Sequence, residues 1–240
     1  MHYIPILSTL VTFSFTASVL ARYRHKKGTH LLLWGIGLIF YGLGTLTEVI
    51  LAFTFSSLAL KVWYLSGAML TAAWLGQGTI FLLVRKQGVA QALTVGLVVI
   101  SLAALGLVAT APVSAGAADT FNIHQPISGQ YRDILTRSGA MIILTILLNI
   151  YGTIALVGGA LYSAFLFWRK RVLANRMTGN ILIAAGALMP ALAGSLIKAG
   201  IADLLYISEL LGAVIMYVGF LQATAGKPAD RKAAVPSSVR

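Results

Sequence analysis

Seven long apolar segments, separated by more polar stretches, dominate the sequence. They cover Ile4 to Leu20, Leu31 to Phe53, Leu60 to Val84, Val89 to Ala111, Ala140 to Trp168, Asn180 to Ile197, and Leu204 to Gln222. Each is long enough to cross about 30 Å of hydrocarbon as an α-helix. None sustains the apolar and polar alternation of a membrane barrel strand. The pattern predicts an all-α, polytopic integral membrane protein with seven transmembrane helices.

The composition agrees with this class. Hydrophobic residues make up 58% of the chain and charged residues only 10%, whereas soluble domains carry about 25% charged residues. The sequence has no cysteine, which excludes disulfides and thiolate metal sites. None of the four histidines lies deep in an apolar segment, which disfavours intramembrane haem and zinc. We therefore expect no metal and no cofactor.

The basic residues fall mainly on one side of the predicted membrane. With the N-terminus outside, 14 of the 18 lysines and arginines lie in the cytoplasmic loops and tail. Such an excess marks the cytoplasmic side, so the sequence predicts a multi-pass protein of the cell membrane with its N-terminus out and its C-terminus in. The formal net charge of +12 then reflects topology and attraction to anionic membrane lipids. No nucleic-acid partner is expected.

Residues 1–225 are predicted to form one transmembrane domain, and residues 226–240 a disordered, basic cytoplasmic tail. The tail has two prolines and no apolar face, a composition that does not support a packed core. We expect no kinase or other output domain there. The longest loop, residues 112–139, lies on the outer side, where a loop of this length is either a functional lid or disordered.

A faint internal repeat indicates a two-part organisation. The first three and the last three segments run in the same directions if the fourth is a linker. The third member of each half begins with a similar tyrosine turn, Tyr64-Leu65-Ser66 and Tyr206-Ile207-Ser208. Some small solute carriers have this parallel arrangement, although matches this short also arise by chance.

Two acidic residues, Glu48 and Glu209, lie inside apolar segments. Each is about five residues from the outer end of its segment, which places both roughly 8 Å below the outer boundary at 1.5 Å per residue. Carboxyl groups at this depth face the protein interior and are candidates for function. We therefore predict that both line one outward-facing cavity, in which they would be catalytic if the protein is an enzyme.

Other polar and aromatic side chains are expected at a similar depth or on the same helix faces. Spacings of three and four residues place Tyr41 and Thr45 with Glu48, and Tyr206 with Glu209. The predicted ligand-binding residues are Tyr41, Thr45, Trp63, Tyr64, Asn149, Ser195 and Tyr206.

A structural role for the two acids is the alternative interpretation. Glu209 can pair with Lys198 across a short turn, and a protonated Glu48 can donate to a neighbouring hydroxyl or carbonyl group. Tryptophans in membrane helices are also more often packing or interfacial residues than ligand contacts.

The predicted architecture resembles that of two known groups of membrane proteins. Seven spans and an external N-terminus resemble the seven-helix sensor regions that precede bacterial histidine kinases. The chain is also similar to small membrane-integral terpene cyclases in its length, its helix number and its acids in the second and seventh spans. That resemblance implies that Glu48 and Glu209 correspond to the essential acids of the cyclases.

Three functions from different classes follow. The first is a non-enzymatic receptor-like or carrier module that binds a small or lipidic ligand in an outward-facing pocket. The second is an acid-catalysed cyclase or isomerase acting on an isoprenoid, in which one glutamate protonates an alkene or epoxide. The other glutamate and the aromatic faces would then stabilise the resulting cation. The third is a structural subunit that assembles with a membrane-protein partner.

Overall fold

The computed structural model describes residues 3–84, 86–171, 174–197 and 204–225. Seven long helices follow one another along the chain: α1 (Tyr3–Lys26), α2 (Thr29–Leu51), α3 (Ser57–Leu83), α4 (Gln87–Thr110), α5 (Gly139–Arg169), α6 (Ala174–Ile197) and α7 (Leu204–Thr224). Two short helices, Ala117–Thr120 and Ile127–Ile134, lie between α4 and α5. Within the described ranges the regular structure is helical, and Val113 and Leu135 form an isolated β-bridge.

Six of the helices in the described part of the chain, α1 to α5 and α7, are long and apolar enough to cross a membrane. The predicted all-helical fold is confirmed within the described residues, and the length and composition of these six helices indicate a membrane-embedded protein. Helix α6 has 24 residues and contains Pro190. The predicted tail, residues 226–240, lies outside the described residues.

Several helices extend beyond the apolar segments read from the sequence. Helix α1 continues to Lys26 instead of ending near Leu20, and α6 begins at Ala174, before Asn180. Helical hydrogen bonding does not require apolar side chains, and long basic side chains can reach the polar boundary of a membrane. Left-handed backbone follows two of the helices, at Lys27 (φ 51°) and Arg171 (φ 50°).

Six helices form a closed ring in the order α1, α2, α3, α5, α6 and α7, with α7 packed against α1. Helix α4 lies outside this ring, against α3 and α5. Much of its surface is exposed apolar side chain, including Val95, Val99 and Leu102. The ring contains α1 to α3 and α5 to α7 as consecutive halves.

Glycines allow the closest helix contacts. A Cβ atom built on Gly186 of α6 would lie 2.7 Å from the carbonyl oxygen of Gly212 on α7. Between α3 and α5, a Cβ atom on Gly152 would overlap the backbone of Ala72. Small residues at such positions let backbones approach and gain van der Waals contact in a membrane. They bring the helices of the ring close together around the candidate site.

Candidate functional site

A cavity of about 300 Å³ lies between α2, α3, α5, α6 and α7. The short helix Ile127–Ile134 covers part of it. Its lining combines apolar, aromatic, polar and acidic side chains, including Tyr41, Thr45, Glu48, Trp63, Thr71, Ser128, Tyr131, Arg132, Asn149, Thr153 and Glu209. A small group of polar side chains in a concave and otherwise apolar site is typical of ligand-binding pockets.

Glu48 is buried, with 1% of its surface exposed. Its Oε1 atom accepts a hydrogen bond of 2.8 Å from the indole Nε1 of Trp63. Its Oε2 atom is buried and has no hydrogen-bond partner among the described residues. The indole is thus the donor in this bond, and the donation from a protonated Glu48 that the structural alternative predicts remains a prediction.

Glu209 lies beside Glu48, close enough for the two carboxyl groups to interact directly. Its Oε2 atom is also buried, and no donor outside the carboxyl pair reaches it within the described ranges. Its backbone carbonyl accepts a hydrogen bond of 2.7 Å from the hydroxyl of Tyr41. This bond joins α2 to α7 next to the carboxyl pair. The proposed partner Lys198 lies outside the described residues.

The two acids therefore reach one cavity from two helices that run in opposite directions. Glu48 lies in the last turn of α2, and Glu209 lies near the start of α7. Because α2 and α7 run in opposite directions, these helix ends meet at one end of the bundle.

A π-helical segment, Tyr64–Leu70, interrupts α3 at the cavity wall. The carbonyl oxygen of Ala68 in this segment accepts a hydrogen bond of 2.7 Å from Nδ2 of Asn149 on α5. A second π segment, Ile154–Gly158, interrupts α5 and contributes Leu156 to the cavity lining. Single π turns in α-helices are frequent at functional sites because they displace backbone groups from regular pairing.

The loop between α4 and α5 is folded over one end of the cavity. The ring centre of Tyr131 lies 5.3 Å from that of Trp63 and 5.7 Å from that of Tyr64. Backbone hydrogen bonds join the two ends of the loop, from Ser114 N to Ile134 O and from Thr136 N to Pro112 O. The loop thus has the placement expected of a lid.

Six of the residues predicted from sequence line the cavity: Tyr41, Thr45, Glu48, Trp63, Asn149 and Glu209. Tyr64 and Tyr206 are buried, but neither is part of the described lining. The hydroxyl of Tyr64 instead forms a hydrogen bond of 3.1 Å with Thr145 Oγ1. The side chain of Ser195 lies outside the described part of the structure.

Sequence reasoning missed the contributions of Ser128, Tyr131 and Arg132 to the lining. All three belong to the short loop helix, and no periodicity in the apolar segments pointed to them. The available signal was the length of the loop and its aromatic residue between polar neighbours.

A second hollow, of about 490 Å³, lies at the opposite end of the bundle. Its lining includes Phe167, Arg169 and Met177, and Trp168 there is 66% exposed. It is an open surface feature without a carboxyl group in its lining. The cavity that holds Glu48 and Glu209 is therefore the stronger candidate site.

Within the described residues, no group of three or more histidine, aspartate or glutamate side chains is placed to hold a metal ion. Comparison of the chain with protein-family models, with curated proteins and with solved structures found no significant match.

Proposed function

We propose that this protein is a receptor-like or carrier module that binds a small ligand in the cavity lined by Glu48 and Glu209. In this proposal the chain crosses the cell membrane seven times, because α6 spans the membrane together with the six apolar helices α1 to α5 and α7. The N-terminus lies outside and the C-terminus inside, as the distribution of 14 of the 18 basic residues favours. The cavity then opens toward the outside, beneath the loop of residues 112–139.

The observation that carries this proposal is a cavity of about 300 Å³ whose lining holds two contacting carboxyl groups among aromatic, hydroxyl and amide side chains. Each carboxyl group has a buried oxygen that no donor outside the pair reaches among the described residues. A ligand with hydrogen-bond donors would bind these acceptor groups in place of the proton that the pair otherwise shares.

Thermal unfolding of the full chain in lipid nanodiscs, with a library of small molecules, tests the binding function. A ligand that binds only the folded state stabilises it by about 2.7 kcal/mol at 100 times its Kd. We expect hits that raise the unfolding temperature of the wild-type protein. Hits should lose this effect in Ala72→Phe, where the new ring projects from the cavity lining.

Ala103→Phe is the matched control because Ala103 is exposed on α4. It should respond to ligands as the wild type does. Circular dichroism and size-exclusion chromatography would establish that both variants fold, and Ala187→Phe, also in the lining, replaces Ala72→Phe if that variant does not. A library without hits, or hits that stabilise the blocked variant equally, would refute the binding function.

Fusion reporters test the proposed topology separately. A reporter after Arg240 should read as cytoplasmic, and one inserted near His124 should read as external. An external C-terminus would reverse the orientation of the cavity.

The contact between the two carboxyl groups favours a second candidate, an acid-catalysed cyclase or isomerase. Two adjacent carboxyl groups can hold one proton between them. That proton could pass to an alkene or epoxide of an isoprenoid, while the remaining carboxylate and the Trp63 ring stabilise the cation. The volume of about 300 Å³ favours a short isoprenoid.

Glutamine variants distinguish the two functions because an amide cannot release a proton at accessible pH. In a cyclase, Glu48→Gln and Glu209→Gln should fold but abolish turnover of a prenylated substrate. In a binding protein, the same variants should weaken ligand binding, and the wild type should show no turnover of a prenylated substrate. Product analysis by mass spectrometry after incubation with short prenylated substrates makes the distinction.

A further inference from the structure

The carboxyl pair lacks a compensating positive charge among the described residues. Trp63 supplies one neutral donor, to Glu48 Oε1, and no donor outside the pair reaches the Oε2 atoms of Glu48 and Glu209 among the described residues. Arg132 also lines the cavity, but its side chain is exposed and lies over the Tyr131 ring, 5.8 Å from the ring centre. It therefore lies at the rim of the cavity and leaves the acid pair unpaired.

Two neighbouring carboxylates in a low-dielectric site repel each other strongly. They are compatible with burial when they share a proton or when a cation lies between them. An ammonium group provides one positive charge and up to three N–H donors. It therefore matches two carboxyl groups that line one cavity.

The other cavity walls also suit an organic cation. The rings of Tyr41 and Trp63 line the cavity, and aromatic faces attract cations within about 6 Å. The Tyr131 ring also lines it but already has Arg132 and Arg137 over it. A calcium ion would need six to eight oxygen ligands, whereas the described residues offer no cluster of three acidic or histidine side chains. The site is thus better suited to an organic cation than to a metal ion.

We propose that the ligand is a small organic amine whose ammonium group lies between Glu48 and Glu209. Its apolar part would pack against Trp63 and Tyr131, beneath the loop helix. The volume of about 300 Å³ is at the lower end for ligand pockets, which favours a compact amine over a long-chain lipid. This inference rests on the proposed ligand-binding function and specifies its ligand class.

The test compares amines with neutral alcohols of the same shape on the full chain in nanodiscs. The pairs are n-butylamine and n-butanol, cyclohexylamine and cyclohexanol, and 2-phenylethylamine and 2-phenylethanol. We expect at least one amine to bind at least about tenfold more tightly than its alcohol in isothermal titration calorimetry. This comparison uses the wild-type protein and does not depend on the folding of any variant.

The variants Glu48→Gln and Glu209→Gln should each weaken binding of that amine by roughly 30-fold, since each removes one partner of a buried charge pair. Asp133→Asn is the matched control because it removes a carboxyl group from the exposed loop, outside the cavity lining. It should leave amine binding unchanged.

Three results would overturn the amine assignment: an alcohol that binds as tightly as its amine in every pair, a panel in which no amine binds, or unchanged amine binding in both folded glutamine variants. Alcohol binding that is as tight as amine binding in every pair, and that Ala72→Phe abolishes, would leave the proposed binding function intact while refuting the amine assignment. If no member of the amine and alcohol panel and no member of the small-molecule library binds, both the amine assignment and the proposed binding function are refuted.

Discussion

Replacing Trp63 with phenylalanine should destabilise the protein in two ways, through the loss of indole volume and through the loss of the hydrogen bond to Glu48. The variant keeps an aromatic ring beneath Tyr131 but removes the only N–H that the described structure directs at Glu48, across a distance of 2.8 Å. Glu48 then keeps only the Glu209 carboxyl group as a hydrogen-bond partner among the described residues. Trp63 is 6% exposed, so water does not readily replace the lost group.

Trp74, on the same helix, provides the comparison that isolates the carboxyl group. It is 8% exposed, and its Nε1 donates across 3.1 Å to the hydroxyl of Ser101. Trp74→Phe therefore removes the same volume and a neutral hydrogen bond. A neutral hydrogen bond contributes about 0.5–1.5 kcal/mol to the free energy of unfolding, and a hydrogen bond to a charged group contributes about 1.5–3 kcal/mol. Hydrogen bonds between membrane helices average about 0.6 kcal/mol, so the smaller differences are the expected ones.

Trp63→Phe should consequently cost about 1 kcal/mol more than Trp74→Phe in the free energy of unfolding. Unfolding in mixed micelles of dodecylmaltoside and SDS, followed by far-UV circular dichroism, measures both variants without relying on tryptophan fluorescence. Equal losses, or a larger loss for Trp74→Phe, would refute a charge-assisted bond to Glu48.

Three further variants probe the packing, the polar core and the loop. Gly152→Ala should destabilise the protein by about 1–3 kcal/mol because its Cβ meets the backbone of α3. Gly96→Ala, with open space around its Cβ, is the control. In thermal unfolding in nanodiscs, Gly96→Ala should unfold at or above the wild-type temperature. Gln77→Leu should cost about 1–3 kcal/mol, since it removes hydrogen bonds that connect α3 to α4 and α5; denaturation at wild-type SDS concentrations would contradict this. Tyr131→Ala should speed amide hydrogen exchange across residues 127–134, measured by mass spectrometry, because it removes two ring contacts; unchanged exchange would show that other contacts hold the loop.

The helical fold could be predicted because a membrane interior requires each crossing segment to satisfy its own backbone hydrogen bonds. Hydrophobic length alone therefore located the six apolar helices and also α6. The order of the helices in the ring could not be predicted from the sequence. The position of α4 outside the ring depends on pair contacts between helices, and its near-uniform apolar surface does not specify a neighbour.

The proximity of Glu48 and Glu209 could be predicted because both were counted from the same predicted boundary at a fixed rise per residue, which placed them level with each other. Tyr206 shows the limit of that method. It is three residues from Glu209, which leaves it about 60° away around the helix at 3.6 residues per turn. The structure buries it outside the described cavity lining.

The π segments could not be predicted from the apolar pattern. The α5 segment, Ile154–Gly158, has no proline or polar residue to distinguish it from ordinary apolar helix. The bond from Asn149 to the Ala68 carbonyl connects residues 81 positions apart, so it depends on tertiary structure. The position of Tyr131 likewise depends on the path of a loop that spacing rules do not determine.

The π turn in α3 also gives this helix an unusual tolerance for changes in chain length. In a regular α-helix, deleting one residue rotates everything beyond it by about 100° and shifts it by 1.5 Å. Within Tyr64–Leu70, the wider turn holds one residue more than an α-helix would. A one-residue deletion there can restore ordinary helix while keeping both flanks in register, so homologous chains could differ by a single residue at this point and still build the same ring.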